Sequence, residues 1–183
     1  EGGMVTTDDA DLQAGLQSLT NQGRADTGQW LEHDRLGYNY RLDELSAAMG
    51  VAQVERIEQI LAQRAAVASR YGELLAGVPG VARPAPDADG DVRSWFVYIV
   101  RLDPSFDRNE VMEQLGRRGV SSKPYLPTVH LQSYFRELGH GEGECPVAEE
   151  SAKRTLALPF HTRLDPQDQE RVVETLANVL GSL

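Results

Sequence analysis

The stretch Trp95–Val120, WFVYIVRLDPSFDRNEVMEQLGRRGV, decides what kind of domain this chain forms. Its first eight residues are mainly aromatic and β-branched, which predicts a strand over Trp95–Leu102. The remainder predicts a helix over Asp107–Arg118, with Asp107 as its N-cap and Gly119 as its stop. A strand that leads into a helix, in a chain without internal repeats, indicates an α+β domain.

The flanking sequence supplies further short elements and one long helical pattern. From Arg41 to Leu75 the apolar residues keep an approximately helical spacing, which predicts a long connecting helix with a kink or junction at Gly50. Asn21–Asn39 has no apolar period and is predicted to be irregular. The other predictions are strands over Gly3–Thr7, Val120–Tyr125 and Leu156–Pro159, helices over Asp9–Leu19, Leu131–Leu138, Pro146–Leu156 and Asp165–Leu180, and a linker over Gly77–Gly90.

Composition excludes several classes of partner. The net charge of −10 opposes binding to nucleic acid or to an anionic membrane, because like charges repel. No apolar run approaches the ~20 residues that cross a bilayer. Cys145 is the single cysteine, so an internal disulfide is impossible and a reducing, cytoplasmic location is expected.

The basic side chains that could carry chemistry are few. The sequence contains two lysines, of which Lys153 lies on a predicted surface helix and Lys123 at a strand end. Lys123 could contact a substrate anion, be merely exposed, or in principle form a Schiff base. The four histidines lack metal-ligand spacing, so no metal site is predicted. His130 shares a turn-rich stretch with Tyr125 and Lys123, which indicates either a packed loop or a binding site.

Three collinear stretches resemble the DegT/DnrJ/StrS family of pyridoxal-phosphate (PLP) dependent sugar aminotransferases. The first is EGGMVTTDDADLQ (Glu1–Gln13), and the second is RLGYNYRLDELSAAMGVAQVERIEQI (Arg35–Ile60). The third combines SSKPYLPTVHLQSYF (Ser121–Phe135) with CPVAEESAKRTLALPFH (Cys145–His161). Their order and distances are similar to those of the family over almost the whole chain.

The resemblance implies a fragment of an α/β aminotransferase of PLP fold type I, with a long connecting helix and an α+β C-terminal small domain. Residues 1–55 would be the remnant of the large PLP-binding domain, and residues 56–183 the small domain. The parent enzyme would move an amino group, commonly from glutamate, to a nucleotide-linked keto-sugar, and would be a homodimer with shared active sites.

The resemblance also implies roles for single residues. Asn39 would reach the PLP phosphate of the partner subunit, since its amide can donate to a phosphate oxygen. Arg41 would be a charged donor nearby or would pair with a carboxylate, and both remain open. Lys123 would meet a substrate carboxylate or phosphate. Tyr125 and His130 would lie near the sugar or the cofactor entrance.

No catalytic residue is assigned to this chain. In the family the lysine that binds PLP covalently lies a few residues before the stretch that Glu1–Gln13 resembles, so it is expected upstream of Glu1. The chain alone is therefore expected to be inactive. The alternative is a non-catalytic dimerisation or binding module derived from the same family, with its apolar Arg41–Leu75 helix as the contact surface.

Overall fold

The computed structural model describes residues 2–27 and 29–183, and the chain divides into two compact units, Glu1–Ile57 and Glu58–Leu183. Glu1 and Gly28, which fall within the predicted motif and the irregular segment, lie outside the described residues. The helices are α1 Ala10–Thr20, α2 Glu44–Val54, α3 Ile57–Leu74, α4 Arg108–Arg117, α5 Ser133–Glu137, α6 Pro146–Arg154 and α7 Pro166–Leu180. The strands are β1 Val81–Ala82, β2 Tyr98–Leu102, β3 Lys123–Pro124 and β4 Thr155–Leu158.

The C-terminal unit is built on an antiparallel sheet in the order β1-β2-β4-β3. In β2 the side chains alternate, and Tyr98, Val100 and Leu102 are buried. The strand predicted from Trp95 begins three residues later, because Trp95 has a φ of 51°, outside the extended region. The sheet therefore presents one apolar face to the helices.

The core of the C-terminal unit lies between this sheet face and the helices α3, α4 and α7. Helix α7 buries an apolar face made of Val172, Val173, Leu176, Val179 and Leu180. The rings of Tyr71 and Tyr98 are 5.0 Å apart at the centre of the core. Gln169, which is buried on α7, donates through Nε2 to the carbonyl oxygen of Val67 on α3, 2.9 Å away. That bond satisfies a buried polar group and joins the two helices.

The N-terminal unit has no comparable core among its described residues. The Asp9 carboxylate caps α1 by accepting from the amides of Asp11 and Leu12. The irregular segment is closed by backbone bridges, one between Asn21 and Asn39. Gly23 is the one buried residue in the described part of this unit. The apolar side chains of the unit that the structure describes are all wholly or partly exposed.

Several predictions of secondary structure were wrong in informative ways. Residues 3–7 form no strand, because no described segment pairs with them. The long helix is in fact two helices, separated at Glu55 and Arg56, and Gly50 lies inside α2. A helix tolerates an interior glycine at a cost of about 1 kcal/mol relative to alanine. The predicted linker contains β1, which pairs with the end of β2.

Candidate functional site

The GYNYR segment is an extended stretch in the N-terminal unit, held against the end of α1. The amides of Tyr38 and Tyr40 donate to the carbonyl oxygens of Leu19 and Thr20, at 2.8 and 2.9 Å. Since successive side chains of an extended chain point to opposite sides, Tyr38 and Tyr40 share one side. Their rings stack 5.2 Å apart and nearly parallel. Asn39 therefore projects from the other side of the segment.

Asn39 and Arg41 form a hydrogen-bonded pair on that side. The Nε of Arg41 donates to the Oδ1 of Asn39, 3.0 Å away. Because the amide oxygen is engaged, the NH2 group of Asn39 is left as a donor. The terminal nitrogens of Arg41 are likewise left as donors. Both side chains are exposed, so the pair presents several N–H groups toward one small region.

The position of this segment depends on two glycines. A side chain on Gly37 would place its Cβ 2.2 Å from the backbone nitrogen of Gly23. A side chain on Gly23 would place its Cβ 1.9 Å from the carbonyl oxygen of Arg35, and Gly23 also has a φ of 76°. Such distances exclude any other residue without movement of the backbone.

The segment ends in a well-defined helix start. The carboxylate of Asp43 accepts from the amide of Ser46 at 2.9 Å and from its hydroxyl at 2.7 Å. These bonds from Ser46 hold the pKa of Asp43 below its usual value. Asp43, two residues after Arg41, thus fixes where α2 begins.

Lys123 and Tyr125 lie together in the C-terminal unit, on the edge of the sheet. Lys123 is exposed and pairs with Ala157 of β4. Tyr125 follows β3, and its carbonyl oxygen accepts from the Oγ1 of Thr155 at 2.8 Å. Its ring lies 6.4 Å from that of Phe96. The sheet register therefore determines the position of both predicted residues.

His130 lies in a short 3-10 turn, Val129–Leu131, and its ring contacts α6. Its Nε2 is 3.0 Å from the Oε1 of Glu149, and the two side chains are only 14% and 13% exposed. The same carboxylate accepts from the amides of Gly143 at 2.9 Å and Cys145 at 3.2 Å. Glu149 therefore joins the turn that carries His130 to the glycine-rich turn that leads into α6.

The electrostatics of this cluster follow from those bonds. The hydrogen bond from His130, followed by those from the amides of Cys145 and Gly143, lowers the pKa of Glu149 below its usual range. A carboxylate that accepts several N–H groups is stabilised in its ionised form. Glu149 is consequently charged at neutral pH.

The structure brings together some of the predicted residues and separates others. Asn39 and Arg41 form one pair in the N-terminal unit, and Lys123 and Tyr125 share one segment of the C-terminal unit. Within the described residues, no hydrogen bond or ion pair links His130 with Lys123 or Tyr125. A cavity of about 1090 Å³ in the C-terminal unit is lined by residues of α3, β1 and the segment 83–87, and by none of these predicted residues.

The two lysines lie on the surface of the structure. Lys123 and Lys153 are both exposed, and neither forms an ion pair with a described carboxylate. In the part of the chain that the structure covers, no three His, Cys, Asp or Glu side chains cluster closely enough to hold a metal ion. None of the described helices is both long and apolar enough to cross a membrane.

Sequence reasoning missed Glu149 and the contact between Gly23 and Gly37. The available signal for Glu149 was its place in the first turn after Pro146, where a carboxylate suits the helix start. Its partner His130 is 19 residues away in the sequence, so only the fold brings the two together.

The same fold recurs in solved structures. The aminotransferase TlmJ from Streptoalloteichus hindustanus is 30% identical in sequence to this chain, and its structure superposes with a TM-score of 0.85. The match covers 96% of this chain and 46% of TlmJ. S. venezuelae DesV is 31% identical in sequence to this chain, with a TM-score of 0.82. This match covers 94% of this chain and 45% of DesV. The fold is therefore that of the C-terminal part of an α/β aminotransferase of fold type I, and the predicted fold class is confirmed.

The chain belongs to the DegT/DnrJ/EryC1/StrS aminotransferase family, whose sequence profile matches residues 1–177. It is 34% identical over 183 residues to GDP-perosamine synthase of Caulobacter vibrioides, covering 98% of this chain and 48% of that protein. It is 32% identical over 179 residues to dTDP-3-amino-3,4,6-trideoxy-alpha-D-glucose transaminase of Streptomyces venezuelae, and the match covers 96% of this chain and 45% of that protein. The chain thus spans about half the length of the curated relatives it matches. The family predicted from the three motifs is confirmed.

Proposed function

We propose that this chain is part of a PLP-dependent aminotransferase that moves an amino group, with glutamate as donor, to a nucleotide-linked keto-sugar. The family match and the names of the two relatives, a GDP-sugar synthase and a dTDP-sugar transaminase, support this class of reaction. The observation that carries the proposal is the oriented donor pair of Asn39 and Arg41 within the GYNYR segment.

The residues of this pair fit the phosphate group of PLP. The Asn39 amide and the terminal nitrogens of Arg41 are exposed donors, and N–H donors of this kind match phosphate oxygens. When bound, PLP supplies the carbonyl chemistry that accepts and releases the amino group. We assign neither Lys123 nor Lys153 to covalent attachment, because each is exposed without a carboxylate partner among the described residues.

The predicted residues of the C-terminal unit suit the nucleotide-sugar substrate. Lys123 offers a mobile positive charge at the sheet edge, suited to a phosphate or carboxylate. Tyr125 and His130 offer a phenol and an imidazole as hydrogen-bonding groups for the sugar. We further propose that the parent enzyme is a homodimer in which Asn39 serves the PLP phosphate of the partner subunit.

Replacement of Asn39 in the protein that contains this chain tests the proposal. Asn39→Asp places a negative charge beside the phosphate, and we expect at least about a tenfold loss of PLP retention, because like charges repel. PLP absorbance after gel filtration measures the retention, and mass spectrometry of nucleotide-linked keto-sugars incubated with glutamate measures amino transfer. Asn109→Asp, at an exposed position in the C-terminal unit, is the control. Unchanged PLP retention in Asn39→Asp, or no amino transfer by the unmodified protein, would count against the proposal.

The exposed apolar side chains of the N-terminal unit favour a second candidate, a non-catalytic dimerisation module. Leu45 and Met49 on α2 are 80% and 71% exposed, and Met4 is 89% exposed. Apolar surface of this extent is typical of an interface. If the candidate is right, the chain should associate with an intact relative in sizing chromatography, and Leu45→Glu should abolish the shift. The absence of any shift would exclude this candidate.

A further inference from the structure

The partly buried carboxylate of Glu149 determines how His130 can act. Among the described residues, the ring of His130 has one hydrogen-bond partner, the Oε1 of Glu149, 3.0 Å from Nε2. An ionised carboxylate only accepts hydrogen bonds, so Nε2 must carry the proton of this contact. The second ring nitrogen, Nδ1, is then the only nitrogen with which His130 can contact another molecule.

Glu149 is itself held in place by backbone amides. Gly143 donates its amide to both carboxylate oxygens, at 2.9 and 3.1 Å, and the amide of Cys145 donates to Oε1. A carboxylate fixed by backbone donors fixes the orientation of the imidazole that it contacts, since the bond is directional. The glycine-rich turn before α6 is thereby coupled to the turn that carries His130.

We propose that Glu149 is the positioning residue of His130, holding Nε2 so that Nδ1 is the nitrogen presented to the nucleotide-sugar substrate. This inference deepens the proposed function, on which it rests for the contact between His130 and the substrate. Glu149 does not contact the reacting atoms in this scheme. It acts only through the orientation and the protonation of the imidazole.

A second histidine in the same unit provides a matched control. The Nδ1 of His140 is 2.9 Å from the Oε2 of Glu144, whose carboxylate also accepts from the amide of Gly141 at 2.9 Å. Both side chains are nearly half exposed, at 49% and 44%, and the two residues are four apart in one turn. The pair has the same chemistry as His130 and Glu149 without their burial.

Nitrogen NMR of the 183-residue chain, with ¹⁵N-labelled histidine, tests the Glu149 contact directly. We expect the proton to lie on Nε2 of His130, the nitrogen that faces Glu149. Glu149→Gln preserves the shape but removes the charge, so the Nε2 proton should exchange with water about tenfold faster, because a hydrogen bond to a charged group is the stronger one. Glu144→Gln removes a nearby charge but no hydrogen bond to His130, so it should leave the exchange rate of the Nε2 proton of His130 unchanged. An unprotonated Nε2, or the same exchange rate in Glu149→Gln, would overturn the inference.

Addition of GDP-mannose, as a nucleotide-sugar probe, to the protein that contains this chain separates this inference from the proposed function. A shift of the Nδ1 signal of His130, with Nε2 still protonated, is the expected result and supports both. No shift of either nitrogen would count against the proposed contact with the substrate, whereas the Glu149→Gln measurement still decides the role of Glu149. A shift in which Nε2 loses its proton would overturn the positioning role.

Discussion

At the scale of single residues, Gly23 and Gly37 show how a binding segment can depend on the absence of side chains. Their backbones approach so closely that the extended stretch containing Asn39 pairs with the end of α1. The donor pair of Asn39 and Arg41 is built on this pairing, although neither glycine contributes a functional group. The segment is therefore more sensitive to added volume than its exposure suggests.

Gly37→Ala should disrupt the segment, because its Cβ would lie 2.2 Å from the backbone nitrogen of Gly23. Hydrogen exchange should show faster exchange of the amides of Tyr38 and Tyr40, by about tenfold or more, as their bonds to α1 are lost. Gly50→Ala is the control, since a methyl group at that position would meet no described atom within 4 Å and α2 should gain about 1 kcal/mol of stability. Equal exchange in the two variants would contradict this explanation.

The charge of Glu149 predicts a pH dependence of stability. Its pKa is lowered in the folded chain, so its contribution to stability is complete above the ordinary value of 4.5 and is lost as the pH falls through the lowered pKa. The difference in urea midpoint between the unmodified chain and Glu149→Gln should be constant from pH 7 to about 5 and shrink below that. A difference that grows toward acid pH would show that the sign is wrong.

The sequence predicted which residues belong to the candidate site better than it predicted their hydrogen-bond partners. Asn39, Arg41 and His130 were identified through motifs, because a motif fixes identity and spacing along the chain. The carboxylate of Glu149 was not identified as the acceptor for His130, since a hydrogen bond between distant segments depends on the fold. The Oδ1 of Asn39 was not identified as the acceptor for Arg41 either, because the motif fixes which residues are present and not how their side chains turn. The roles proposed for these residues remain predictions.

At the scale of elements, most helices were predictable, although the long connecting helix proved to be two, and most strand bounds were not. Asp107 caps α4 by accepting from the amides of Asn109 and Glu110, as the sequence predicted. A cap and an apolar period are local signals. β1 and β3 have two residues each and exist only through their pairing with β2 and β4, which no local pattern encodes.

Asp107→Ala should destabilise the C-terminal unit by about 1 kcal/mol, because two amides of the first turn of α4 lose their acceptor. Urea denaturation followed by circular dichroism measures the change. Asp107→Asn keeps an acceptor oxygen and should lose less stability. If the two variants lost equal stability, capping by the side chain would not be the cause.

At the scale of the whole molecule, the two units differ in what stabilises them. The buried apolar cluster runs from Val67 to Leu180 and lies entirely in the C-terminal unit. The polypeptide 58–183 should therefore fold by itself, with a urea midpoint close to that of the C-terminal transition in the full chain. Circular dichroism and dispersion in an NMR spectrum measure this. A truncated chain without a cooperative transition would contradict it.

The core should also make the protein sensitive to alkali. Burial raises the pKa of Tyr71 well above the ordinary value of 10.0 and also raises that of Tyr98. A group with a raised folded pKa contributes stability that is complete below the unfolded pKa and is lost as the pH rises above it. Stability should fall as the pH rises through about 10, and less so in Tyr71→Phe. An identical fall in Tyr71→Phe would exclude Tyr71 as a cause.

The shortness of β1 and β3 has a consequence for how molecules of this protein can aggregate. An outer strand with free backbone groups is a template for adding strands from other molecules. Here one outer strand has two residues, and the other carries the charge of Lys123 and the ring of Pro124, which has no N–H to donate. Both edges of the sheet thus disfavour the addition of strands that fibril growth requires. Any aggregation should instead proceed through the apolar helical surfaces of the N-terminal unit. The aggregates should keep the far-ultraviolet circular dichroism spectrum of helices.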